Sequence, residues 1–157
     1  MTTLSITEFG KILLDTEDLD PVYSTIYRSG IGPNTRGRLC VAYWCFYHLG
    51  LASKLATIED PDEFWEGMMR AAVNQSNDDG TKPFPRGGER RHFRGGQATA
   101  SIANLRRLYP NGAEQALQGF IRPTVLGNYT YNSVAASVQQ HRGFGPWIAW
   151  KVADMAE

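Results

Sequence analysis

A chain of 157 residues with 42% hydrophobic and 11% aromatic side chains is long enough to bury a core of its own, and its formal charge is zero. No apolar run reaches the length that spans a bilayer, and the start, MTTLSITEFGK, has no charged segment leading into an apolar one. Neither a membrane span nor a secretion signal is expected.

The periodicity is helical along most of the chain. Phe9, Ile12 and Leu13 space a first short helix, and Val22, Ile26 and Tyr27 a second. Residues 37–55, GRLCVAYWCFYHLGLASKL, are apolar around most of a helical circumference, which predicts one central buried helix. Cys40 and Cys45 point in different directions on it and read as buried thiols of a reducing compartment, not as a disulfide or a metal site. His48 on the same apolar stretch reads as a hydrogen-bonded core histidine. In EDPDEFWEGMMRAAV, Asp60 is placed to cap, Pro61 to open the helix and Glu63 to complete a capping box. Phe64, Met68 and Ala72 form its inner stripe.

Residues 74–96 break every period and predict a long loop. Helical spacing resumes at Ala98, Ile102, Leu105 and Tyr109 and stops at YPNG. Short helices are expected at about 112–120 and 130–141, and a last one from Pro146. No segment reads as a strand. The expected fold is all-α, a single compact helical domain over residues 1–157.

The zero net charge is divided. Residues 1–81 carry twelve Asp/Glu against six Lys/Arg, and residues 82–157 carry four against ten. The positive excess peaks in KPFPRGGERRHFRGGQ, residues 82–97, with four arginines, a lysine and four glycines. One face of the protein is therefore expected to meet an anion.

Near the end, Gly143-Phe144-Gly145-Pro146 separates two helical segments by a tight turn. The glycines permit positive φ, Phe144 can plug between the helices, and Pro146 begins the second of them. Amides at that helix start are suited to a phosphate oxygen. The stretch from about 131 to 156 resembles the helix-hairpin-helix of DNA glycosylases. The catalytic aspartate of those enzymes comes well after the hairpin, whereas this sequence stops at Glu157.

Taken together, PRGGERRHFRGG, GFGPWIAWKVADM, YWCFYHLGLAS and FWEGMMRAA resemble the phage and bacterial α-glutamyl/putrescinyl thymine pyrophosphorylases, also described as amino acid:DNA transferases. That family is related to the helix-hairpin-helix glycosylases, and the resemblance spans roughly residues 20–156. It implies a glycosylase-like helical fold and a DNA hypermodification reaction. The substrate would be double-stranded DNA bearing 5-pyrophosphoryloxymethyl-uracil, made beforehand from 5-hydroxymethyluracil by a separate DNA kinase. The amine of an amino acid or polyamine would displace pyrophosphate, in the cytoplasm of an infected bacterial host.

That chemistry assigns roles. Arginine donates bidentately to phosphate and stays charged, so Arg90 and Arg94 are expected on the departing pyrophosphate if ERRHF is helical and puts them on one face. Arg86 and Arg91 would be shared between the pyrophosphate and the DNA strand. Gly87, Gly88, Gly95 and Gly96 would let backbone amides approach the same oxygens. The ammonium nucleophile must lose a proton, and Asp154 is the first candidate to accept it, with Glu89 and His92 behind it. Trp147, Lys151 and Asp154 share a helical face beside Gly143, Phe144 and Gly145, and these residues would bind substrate. No cluster has metal-ligand spacing, so no metal or cofactor is expected in the protein itself; magnesium carried on the pyrophosphate stays open. The competing readings are a non-catalytic helix-hairpin-helix module of the kind attached to DNA kinases, and a glycosylase-like enzyme acting on a modified base.

Overall fold

Among the described residues, Ile26, Phe64, Met68, Ala72, Ala98, Ile102, Leu105 and Tyr109, all at helical spacing, are buried. The computed structural model describes residues 5, 7–8, 11, 21–28, 30–76, 83–85, 87–90, 92–121 and 130–156, and eight helices run among them. The helix expected on Phe9, Ile12 and Leu13 lies outside the described residues, as do Arg86 and Arg91.

Helix α1 is Pro21–Arg28, and it buries Tyr23 and Ile26. Helix α2, Pro33–Phe46, starts on a proline and is buried at every position from Gly37 onward. It packs against α1, against α3 (Leu49–Ala56) and against α6 (Ala113–Phe120), so it is the axis of the fold. Helix α4, Pro61–Val73, pairs with α5, Gly95–Leu108. Asp60 caps α4 by accepting the Glu63 N–H at 2.9 Å, and Phe64, Met68 and Ala72 are all buried. Helix α7, Tyr131–Gln139, opens with a reciprocal Thr130–Ser133 capping box and lies on α8, Pro146–Ala156. Among the described residues the fold is all-α, with a single isolated bridge between Gln75 and Phe84 and no strand.

The sequence segment 37–55 is not one helix. It breaks at Tyr47, which adopts the left-handed conformation (φ 50°, ψ 41°), and α3 restarts with His48 as its cap, whose Nδ1 accepts the Leu51 N–H at 3.2 Å. The physical cause lies forty residues away. In an unbroken helix the carbonyls of Trp44, Cys45 and Phe46 would accept from residues 48, 49 and 50. Here Arg90 Nε donates to Trp44 O (3.1 Å) and Cys45 O (3.3 Å), and the Gly87 N–H donates to Phe46 O (3.0 Å). The loop after α4 thus caps the central helix, and these bonds offset the roughly 1–2 kcal/mol that a non-glycine left-handed residue costs.

Candidate active-site cleft

The loop and the hairpin meet across one open cleft of about 930 Å³. Its walls are Glu89, Arg90 and His92 from the loop, Gln97 from the first turn of α5, Gln139 and His141 from the end of α7, and the hairpin run Gly143–Ile148. Of the residues singled out from sequence, the cleft gathers Glu89, Arg90, His92, Gly143, Phe144, Gly145 and Trp147. Lys151, Asp154, Arg94, Gly87 and Gly88 are not among its walls.

Arg90 is the keystone. It is only 6% exposed, lies over the Phe93 and Phe144 rings at 4.6 and 5.1 Å, and donates through Nη2 to the Gly143 carbonyl at 3.1 Å. Burial pulls its guanidinium down to about 10, with Cys45 pulling partly the other way, so it remains charged at neutral pH. Nε and Nη2 are committed to backbone carbonyls of α2 and the hairpin, while Nη1 makes no hydrogen bond to a described residue. ERRHF is not helical: residues 88–89 form a turn, and Arg94 precedes α5 as its N-cap. The shared helical face expected for Arg90 and Arg94 therefore does not exist. Arg94 is half-buried, and its Nε is buried with no hydrogen-bond partner.

Gly87 has a reason other than anion binding. A Cβ there would overlap the Tyr47 carbonyl, so the glycine lets the loop close on the end of α2. Gly143 has φ +83°, and a Cβ on it would overlap Ser101 Oγ, so it seats the hairpin on α5. Gly145 is not in the positive-φ region, and a Cβ on it would meet nothing within 4 Å. Phe144 is buried between the helices, as expected of a plug, against Phe120 at 5.0 Å and Phe93 at 6.1 Å. The N–H groups of Gly145, just before α8, and of Trp147 and Ile148 in its first turn, where helical N–H groups lack carbonyl partners, make no hydrogen bond to a described residue.

Asp154 is exposed in the last turn of α8 and forms no ion pair with Lys151, whose ammonium lies over Trp150 at 4.8 Å. Within the cleft the carboxylate among the described walls is Glu89.

Three wall residues carried no signal strong enough to single them out from sequence. His141 is buried, with Nδ1 donating to the Ser137 and Val138 carbonyls (3.0 and 3.1 Å). That leaves Nε2 to accept the Tyr109 hydroxyl at 2.6 Å. Gln97 and Gln139 are exposed amides on helix ends. Among the described residues no three His, Cys, Asp or Glu side chains gather as metal ligands, and no helix is long and apolar enough to cross a membrane.

No family model matches the chain. Two curated phage proteins do align with nearly all of it. A protein named glycinyltransferase from Pseudomonas phage PaMx11 is 41% identical over 160 aligned residues, which cover 98% of this chain and 51% of that protein. One named putrescinyltransferase from Delftia phage PhiW-14 is 30% identical over 149, covering 94% of this chain and 43% of that protein. The chain spans about half the length of these relatives. Over nearly its whole length the chain is therefore similar to about half of each of these phage glycinyl- and putrescinyltransferases.

Proposed function

We propose that the chain carries out the transfer step of a phage-type DNA thymine hypermodification, in which an amine displaces pyrophosphate from 5-pyrophosphoryloxymethyl-uracil in DNA. The supporting observation is the joining of a carboxylate, an imidazole and a clamped arginine to a hairpin with free helix-start amides, in a chain 41% identical to a protein named glycinyltransferase.

In this reading the amine nitrogen bonds to the exocyclic carbon, the carbon–oxygen bond breaks, and pyrophosphate leaves with the electron pair. The charge developing on pyrophosphate calls for fixed donors. Arg90 offers its uncommitted Nη1, and the N–H groups of Gly145, Trp147 and Ile148 offer a helix-start cradle for a phosphate of the leaving group or the strand. Arg94, with its unpartnered buried Nε, adds positive charge for the DNA strand, and Arg86 and Arg91 keep the shared role that the sequence gives them. The proton of the incoming ammonium goes to Glu89, with His92 three residues on and on the same cleft. Glu89 thereby replaces Asp154 as the base, because Asp154 is not among the cleft walls.

The nucleophile is an amino acid or polyamine, the DNA is double-stranded, and a separate kinase acts first to install the pyrophosphate. The setting is the cytoplasm of the infected host, where phage DNA is made. The test is mass spectrometry of nucleosides after incubating pyrophosphorylated DNA with the protein and a mixture of amines. A mass corresponding to an aminomethyl-linked thymine adduct is expected. A released free base would replace the transferase reading with a glycosylase, and unchanged nucleosides would leave a binding module.

A further inference from the structure

We propose that the cleft is a base pocket, in which the target pyrimidine leaves the duplex, stacks on the Trp147 indole and is held at its edge by the Gln97 amide. This rests on the transferase reading above and adds to it the way the substrate is presented.

The exocyclic carbon of a modified thymine lies in the major groove, where chemistry on it does not require the base to move. The cleft argues otherwise. Its inner surface includes Arg90, His141 and Phe144, all nearly inaccessible, so a group that reaches them has to enter the protein. The space, about 930 Å³, falls at the upper end of the range typical of small-ligand sites and is larger than a diphosphate alone needs. Enzymes that act on a base inside a duplex commonly extrude it and stack it on an aromatic side chain.

Trp147 is suited to that stacking. It is 40% exposed although it is among the largest apolar side chains, and it stands on the cleft wall. Its orientation is fixed from behind. The indole meets the Tyr47 ring edge to face (5.1 Å, 63°), and Tyr47 is stacked on the buried Tyr43 (4.7 Å, 28°). An edge-to-face contact leaves an indole face for another ring, and stacking on an aromatic face holds any base irrespective of its identity. The left-handed Tyr47 turn is what brings this ladder to the cleft, so the break in the central helix has a use at the site.

Gln97 supplies the edge contact. Gln139 commits its NH₂ to the Ala135 carbonyl at 3.3 Å, whereas the Gln97 side chain makes no hydrogen bond to a described residue. A uracil ring presents an N3–H flanked by two carbonyl oxygens. One carboxamide can accept from the first and donate to either of the others at once.

The experiment uses a duplex with 5-hydroxymethyluracil as a stable target and 2-aminopurine directly 3′ to it, with emission read at saturating protein. Extrusion of the target unstacks the neighbour, and a severalfold rise in emission is expected. Trp147→Ala should abolish the rise, Trp147→Phe should retain most of it, and Gln97→Ala should reduce it at least twofold. No rise with the unaltered protein, or a full rise with Trp147→Ala, overturns the proposal. The readout needs no amine and no turnover. Nucleoside adducts formed without an emission rise would therefore sink the base pocket while leaving the transferase, and the reverse result would sink the transferase alone.

Discussion

Arg90 Nη2 donates to the Gly143 carbonyl at 3.1 Å, joining two residues 53 apart in sequence, the first in the basic loop and the second in the terminal hairpin. The same guanidinium closes the end of the central helix through Trp44 O and Cys45 O. Loop, helix and hairpin are therefore one mechanical unit, and the cleft between them depends on it.

Replacing Arg90 by lysine should lower stability before any question of catalysis arises. One ammonium cannot reproduce a planar fork that donates in two directions. Each buried carbonyl left unpaired costs about 1–3 kcal/mol. Urea denaturation should show a reduced midpoint with an unchanged slope. A midpoint equal to that of the parent protein would mean that the three bonds do not hold the fold.

The two hairpin glycines should separate folding from DNA binding. Gly143→Ala puts a Cβ at φ +83° against Ser101 Oγ, and a loss of about 1–3 kcal/mol is expected. Gly145→Val meets open space at an ordinary φ, so its thermal midpoint should stay close to the parent's. Its side chain would stand where a phosphate approaches the free amides, and affinity for any duplex should fall. A Gly145→Val protein that folds and binds DNA like the parent would refute the hairpin as a phosphate contact.

Much of this was legible in the sequence because local rules carried it. Asp60-Pro61 states a helix start by itself, and Gly143-Phe144-Gly145-Pro146 states a hairpin with an apolar plug. The break at Tyr47 was not legible, because the residues that cause it, Gly87 and Arg90, are distant and their bonds go to backbone atoms. Nothing in the sequence distinguishes the buried Arg90 from the half-buried Arg94 four residues on. Asp154 shares a helical face with Trp147, but seven residues are about 10 Å of helix, enough to carry it past the cleft.

The thiols offer a pH signature. Burial pushes both Cys40 and Cys45 from 9.0 up to about 12, with Arg36 and Arg90 respectively pulling back. Above pH 9 the unfolded chain releases protons that the folded chain keeps. Stability should therefore be full below about pH 9 and decline through the window up to about 12, by at most about 4 kcal/mol per thiol. Urea midpoints between pH 8 and 10.5 should fall more steeply in the parent than in a Cys40→Ala/Cys45→Ala variant. Parallel lines would mean that the thiols ionise as freely in the fold as outside it.

Electrostatic docking gives a salt dependence. If the positive half of the chain meets the strand through several phosphates, log K should fall linearly with log[salt], by about 0.9 per phosphate neutralised on duplex DNA. The slope should lessen by about one unit for each phosphate-contacting arginine removed, with Arg94→Ala the first to try. A flat dependence would show that the positive half, residues 82–157, does not carry the docking.

The sharpest comparison is between two carboxylates. If Glu89 accepts the proton of the incoming ammonium, Glu89→Gln should slow single-turnover transfer on saturating pyrophosphorylated DNA by roughly a hundred- to ten-thousandfold, the usual contribution of a positioned base. DNA affinity, measured separately, should change little, because the amide keeps the size and polarity of the acid. The deficit should shrink as pH rises, since more of the amine is then already unprotonated and the missing base matters less. Asp154→Asn should transfer at close to the parent rate, because Asp154 stands at the far end of α8, not among the cleft walls. A large defect in Asp154→Asn with a small one in Glu89→Gln would move the chemistry out of the cleft. Losses in both that only track DNA binding would make each carboxylate a docking residue and leave the proton without an acceptor.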